Sequence, residues 1–104
     1  MPVFMITSQH TAESCPMNNE KERKMFLEAS GKMGELTNKH NIKPVGNYVC
    51  MPDHTTYMIL EAPSSDAFQQ FMAEPSIIQL LARSTSTVKS VNALEDAVKM
   101  LSEM

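Results

Sequence analysis

The chain has 104 residues, of which 42% are hydrophobic, and this length fits one small domain that we expect to span residues 1–104. Its formal charge is −3 and it has no basic cluster, which excludes nucleic acid as an expected partner. No apolar run approaches the roughly 20 residues that cross a bilayer, so no membrane association is expected. The first residues lack the basic and small-residue pattern of a secretory signal, and there are only two cysteines. We therefore predict a cytoplasmic protein.

The first half of the chain predicts a strand, a loop and a long helix. Residues 3–8 alternate between two faces that are both largely apolar, which is typical of a central strand. Residues 9–19 are polar and contain Pro16, so they predict a loop. Between residues 20 and 40 apolar side chains recur at spacings of three and four, which indicates an amphipathic helix.

The second half predicts three more strands and three helical pieces. Strands are expected at 45–50, 55–61 and 84–91, with a turn at 51–54 between the first two. Helices are expected from 63 to the break at Pro75, at 77–81, and from 94 to 101. The resulting order is β-α-β-β-α-β with an added C-terminal helix, which is the ferredoxin-like α+β arrangement.

This arrangement predicts where the reactive side chains meet. The first and third strands are antiparallel neighbours at the centre of such a sheet, so the end of strand one and the turn before strand three share one edge. The start of the first helix lies at that edge as well. The side chains expected there are His10, Cys15, Met17, Cys50, His54 and Arg83. His40, at the far end of the first helix, is expected to lie elsewhere.

Two segments, HTAESCP at 10–16 and YVCMPDHTTY at 48–57, resemble a branch of small proteins in the dimeric α/β-barrel superfamily. The resemblance covers about residues 2–91. It implies that the sheet face without helices, which would otherwise expose apolar side chains, pairs with a second copy. It also implies a pocket between sheet and helices. The superfamily includes monooxygenases, isomerases, heme enzymes and proteins of no known activity, so the resemblance constrains function only weakly.

Our main functional hypothesis is a site for a transition metal or small ligand formed by His10, Cys15 and His54. Imidazole and thiolate are ligands of copper and zinc, and the thioether of Met17 would favour copper(I); nickel is a less favoured alternative. The spacing of His10 and Cys15 matches no metal motif, so the hypothesis depends on their convergence with His54. The alternative is that both histidines are solvated residues at strand ends.

A second hypothesis concerns the thiols. Cys15 precedes the first helix, whose positive end would favour a thiolate, so it is a candidate nucleophile or redox-sensing thiol. Cys50 is expected to be a small buried hydrophobic residue, and Cys15 is expected to react first. A disulfide between them remains an alternative that a reducing cytoplasm disfavours.

A third hypothesis is an enzyme that acts on a small organic substrate in the cavity. Tyr57 and Glu61 lie on one face of the third predicted strand, and a hydroxyl with a carboxylate in an apolar cavity is suited to acid–base catalysis. The same pair would equally serve as a buried contact or an interface contact. The chain has no Trp, a residue that is common in cofactor-free monooxygenases of the superfamily it resembles.

Overall fold

The computed structural model describes residues 1–104. The elements in chain order are β1 (Val3–Gln9), α1 (Glu20–Lys39), β2 (Lys43–Cys50), β3 (Thr55–Glu61), α2 (Ser65–Met72), α3 (Pro75–Leu81), β4 (Thr85–Val91) and α4 (Leu94–Ser102). A short 3₁₀ turn, Met51–Asp53, joins β2 to β3. Each predicted strand and helix is confirmed, with ends that lie within two residues of the predicted ones.

The four strands form one antiparallel sheet in the order β2-β3-β1-β4, so β1 and β3 are central as predicted. This is the ferredoxin-like α+β fold. None of the helices has the length and apolar character needed to cross a membrane.

The core lies on the sheet face that the helices cover. Alternate residues of β1 point toward the helices and are buried, while their neighbours along the strand are only half-buried. Phe4 of β1 stacks on Phe68 of α2 with ring centroids 4.0 Å apart, and Phe71 is completely buried beside them. The other core side chains are Ile6, Ile42, Met58, Leu60, Ala62 and Ile77.

Asn19 caps the start of α1. Its side chain accepts a hydrogen bond from the backbone N–H of Glu22 at 3.1 Å, which satisfies one of the free amides of the first turn. The other end of α1 stops at Asn41, whose φ of 55° is left-handed and cannot continue a helix. There His40 and Lys39 both contact the carboxylate of Glu74, which confirms that His40 is not part of the predicted edge cluster.

The opposite sheet face has no helix on it. Register places Val3, Met5, Tyr57 and Ile59 on this face, and all four are only half-buried. Helix α4 contains no buried residue, and Leu101 on it is 67% exposed. The chain therefore has two apolar surfaces without a partner in the monomer.

Candidate functional site

The loop between β1 and α1 folds inward and buries Cys15. The backbone carbonyl of Cys15 accepts hydrogen bonds from the N–H groups of Asn18 and Asn19 at 2.9 and 3.0 Å, and its own N–H donates to Ala12. These turns leave Cys15 only 3% exposed. The expectation that its loop position makes Cys15 the more accessible thiol is therefore wrong, because consecutive turns make the loop compact.

Cys50 also differs from its prediction. It ends β2, which is an edge strand, and it is half-buried rather than buried. Both cysteines are free thiols. Of the two, Cys50 is the more accessible.

His10 and His54 meet where β1 ends and β3 begins. The N–H of His10 donates to the carbonyl of His54 at 3.1 Å, and the two imidazole centroids are 5.3 Å apart in an edge-to-face arrangement. His54 has a φ of 53°, a left-handed conformation that is unfavourable for most residues with a side chain. This conformation follows the 3₁₀ turn and directs the chain into β3.

His10, Cys15 and His54 bring one nitrogen or sulfur atom each to a common point. Their ligand atoms all lie within 4.8 Å of one another. Bonds of about 2.0–2.3 Å to a metal require ligand atoms roughly 3.3–3.8 Å apart, so small side-chain movements complete the site. The convergence predicted from strand order is thus present.

Two nitrogen atoms of this group have no partner in the protein. His10 Nε2 and His54 Nδ1 are both buried and make no hydrogen bond. A buried polar atom without a partner is costly and rare in folded proteins. A metal ion that bound both nitrogens would remove this cost.

The electrostatics favour neutral imidazole. Burial and the neighbouring His54 lower the pKa of His10, although the nearby Glu22 carboxylate acts in the opposite direction. The lowered pKa of His10 favours its neutral form, which is the form that binds metals. Glu22 is itself held by an ion pair with Arg83, which lies after α3.

The three side chains line a cavity of about 350 Å³, to which the sheet and α1 also contribute. Half of its lining residues are hydrophobic. The methionines among them are Met17, Met25, Met33, Met51 and Met58. Met17 is 57% exposed, so it lies at the mouth of the cavity.

Tyr57 and Glu61 do not line this cavity. Tyr57 pairs with Thr7 and Glu61 with Val3, so both lie on the sheet face that carries no helices. This contradicts their predicted place in an internal acid–base site, because the alternation of β3 directs Met58 and Leu60 inward instead.

Glu22 is a site residue that sequence reasoning missed. A signal was available, since Asn19 followed three residues later by Glu22 matches a helix-capping pattern and fixes the first turn of α1. The pattern does not reveal that Arg83 pairs with Glu22 across 61 residues.

No protein-family model matches the chain, and no curated protein matches it. Several solved structures are similar, among them the following three. One, described as an antibiotic biosynthesis monooxygenase, is 17% identical with a TM-score of 0.61 and covers 89% of this chain and 98% of its own. Protein Atu4242 from Agrobacterium tumefaciens is 16% identical with a TM-score of 0.59, and the match covers 88% of this chain and 92% of that protein. An uncharacterized NIPSNAP domain protein from Burkholderia xenovorans is 16% identical with a TM-score of 0.53, and the match covers 89% of this chain and 95% of that protein.

At these identities the similarity concerns the fold alone. It agrees with the ferredoxin-like α+β fold described above. The resemblance of residues 10–16 to a branch of small proteins in the dimeric α/β-barrel superfamily stays a prediction.

Proposed function

We propose that this protein binds one transition metal ion through His10, Cys15 and His54. The observation that carries the proposal is the convergence of three ligand atoms within 4.8 Å, two of which belong to imidazoles with an unpartnered buried nitrogen. No other group of three or more His, Cys, Asp or Glu side chains in the chain has such a geometry.

The ligand types favour copper or zinc. Two imidazoles and one thiolate suit either ion, whereas nickel more often takes nitrogen and oxygen ligands. The thioether of Met17 at the cavity mouth would add a soft ligand that copper(I) prefers over zinc. A Met17→Ala change that weakened copper(I) binding alone would identify the ion.

The test is a titration of untagged protein with zinc, copper(II) and copper(I), because a histidine tag would bind metal itself. One ion should bind per chain. Cys15→Ser and His54→Asn should each lower the affinity by more than the roughly 10–100-fold that loss of an outer-shell partner costs. Cys50→Ser is the matched control and should bind normally. Equal binding by Cys15→Ser and Cys50→Ser would contradict the proposal.

An enzyme that acts on a small organic substrate is the second candidate. It is favoured by the cavity of about 350 Å³ and by similarity to a structure described as an antibiotic biosynthesis monooxygenase. In this case Cys15, which lines the cavity, is the candidate nucleophile or redox-active thiol for monooxygenase-like or isomerase-like chemistry. Activity that survives a chelator and is lost in Cys15→Ser would favour this candidate over the metal site.

We further propose that the protein acts as a homodimer in the cytoplasm. The half-buried apolar residues of the sheet face without helices support self-association. Two free thiols agree with a reducing compartment.

A further inference from the structure

No fourth His, Cys, Asp or Glu side chain joins the three proposed ligands, which face a space. His10, Cys15 and His54 all line the same cavity. Zinc and copper sites with three protein ligands commonly leave one coordination position to a molecule from outside the protein. The cavity is the space that adjoins this position.

Glu22 is the only carboxylate that lines the cavity and could therefore close the metal site, and its contacts argue against this. Its carboxylate is paired with Arg83, and its side chain is only 11% exposed. Binding a metal would require Glu22 to leave that pair, and the positive charge of Arg83 would then lie unpaired beside the cation. We therefore assign Glu22 and Arg83 to the wall of the cavity.

The charges of the wall limit what the cavity accepts. Glu22 and Arg83 are the only Asp, Glu, Lys or Arg residues that line it, and they neutralise each other. No unpaired charge remains to hold a second ionic group of a ligand. An ion buried there without a partner would be strongly disfavoured.

The rest of the wall favours an apolar ligand. Ile6, Phe26, Met33 and Met58 contribute hydrophobic surface, and methionine side chains adapt to irregular shapes. A volume of about 350 Å³ lies near the lower end of the range for ligand pockets. The occupant is therefore small.

We infer that the cavity holds a small, largely apolar molecule with a single donor group that completes the coordination of the metal. The inference rests on the proposed metal site and adds the chemical class of the second ligand: one thiolate, carboxylate or similar donor on a short hydrocarbon body. Molecules with two charged groups are excluded by the paired charges of the wall.

Cobalt(II) provides the test, because its absorption reports both the Cys15 thiolate and the number of ligands. Untagged protein loaded with cobalt(II) is titrated with 1-hexanethiol and with 2-mercaptoethanol, which share a donor but differ in apolar length. The hexanethiol should change the visible spectrum at a concentration at least about tenfold lower, because it buries more methylene groups. Gel filtration then verifies that cobalt stays bound.

Two variants on α1 locate the ligand. Ser30 lines the cavity, whereas Lys24 is exposed and does not, so Ser30→Phe fills the space and Lys24→Phe is the matched control. Ser30→Phe should weaken hexanethiol binding at least tenfold while cobalt binding is unchanged, and Lys24→Phe should change neither. The comparison of the two thiols on the unaltered protein decides the question even if Ser30→Phe does not fold.

The outcomes separate this inference from the proposed function. Absence of any cobalt–thiolate absorption would refute the metal site and the inference with it. A normal cobalt spectrum that neither thiol alters would overturn the inference and leave the metal site intact. Equal responses to the two thiols, or a response unaffected by Ser30→Phe, would show that the cavity is not where the ligand binds.

Discussion

The burial of Cys15 decides how the two thiols behave. Cys15 is 3% exposed and Cys50 is half-buried at the end of an edge strand. Thiol reactivity depends on access as well as on the thiolate fraction. We therefore expect a thiol reagent to label Cys50 before Cys15, and bound zinc to slow Cys15 labelling further. Mass mapping of the first labelled site tests this, and faster labelling of Cys15 would show that the 10–19 loop opens in solution.

The left-handed conformation of His54 makes this position selective for residue type. A residue with a left-handed backbone costs about 1–2 kcal/mol, and Asn tolerates the conformation better than other residues with side chains. His54→Asn should therefore keep the free energy of unfolding near that of the original protein. His54→Val should lose about 1–2 kcal/mol more than His54→Asn. Urea denaturation of the metal-free proteins measures both, and equal stability would contradict the backbone argument.

At the level of elements, Glu74 links the end of α1 to the start of α3. Its carboxylate lies 2.8 Å from Lys39 Nζ and 2.7 Å from His40 Nε2. Hydrogen bonds from Lys39 and His40 lower the pKa of Glu74. A carboxyl whose pKa is lower in the folded state stabilises the fold above its unfolded pKa, and this stabilisation is lost as the pH falls toward the folded pKa.

Glu74→Gln should consequently lower stability at neutral pH and weaken its dependence on pH below about 4.5. Glu28→Gln, on the exposed side of α1, is the control and should behave like the original protein. Thermal unfolding from pH 7 to pH 3 gives the measurement. Coincident curves for the Glu74→Gln variant and the original protein would mean that the contacts of Glu74 with Lys39 and His40 contribute nothing to stability.

The regular elements were predictable because each has a strong local signal. The two-residue alternation of β1 and the three-to-four spacing of α1 follow from burial on one face, which local sequence records directly. The irregular features carry weaker signals. Val45 is an extra residue in β2, since Pro44 and Gly46 pair with consecutive residues of β3, and these two flanking residues are only a weak local signal for it.

The whole molecule exposes more surface than a compact monomer of its size. Its accessible area is 7102 Å², roughly 1,300 Å² above the typical value for a folded chain of this mass. Its radius of gyration is 15.2 Å, against about 13 Å for a compact chain of 100 residues. An excess of this size matches what each partner of an obligate dimer buries.

Light scattering should therefore return about twice the 11.6 kDa of the chain at micromolar concentration. Ile59→Arg places a charge on the sheet face without helices and should give the monomer. Ile78→Arg, at a 54% exposed position on α3, is the matched control and should remain dimeric. An original protein that sedimented and scattered as a monomer would refute the assembly.

The candidate site was predictable only as far as topology determines it. Strand order alone brought His10 and His54 together, because antiparallel pairing of β1 and β3 fixes the positions of their ends. The burial of Cys15 depends on the turns of the loop between β1 and α1, which have little sequence signal. The position of Tyr57 depends on which alternate face the helices cover, and two largely apolar faces leave that choice open.

The central claim is that one metal ion is held by two imidazoles and one thiolate. X-ray absorption at the metal edge of untagged, stoichiometrically loaded protein tests it most directly. The account predicts one sulfur at about 2.3 Å and two imidazole nitrogens at about 2.0–2.1 Å, with the sulfur shell lost in Cys15→Ser and kept in Cys50→Ser. Failure to load one ion per chain, or a shell of oxygen and nitrogen without sulfur, would contradict it.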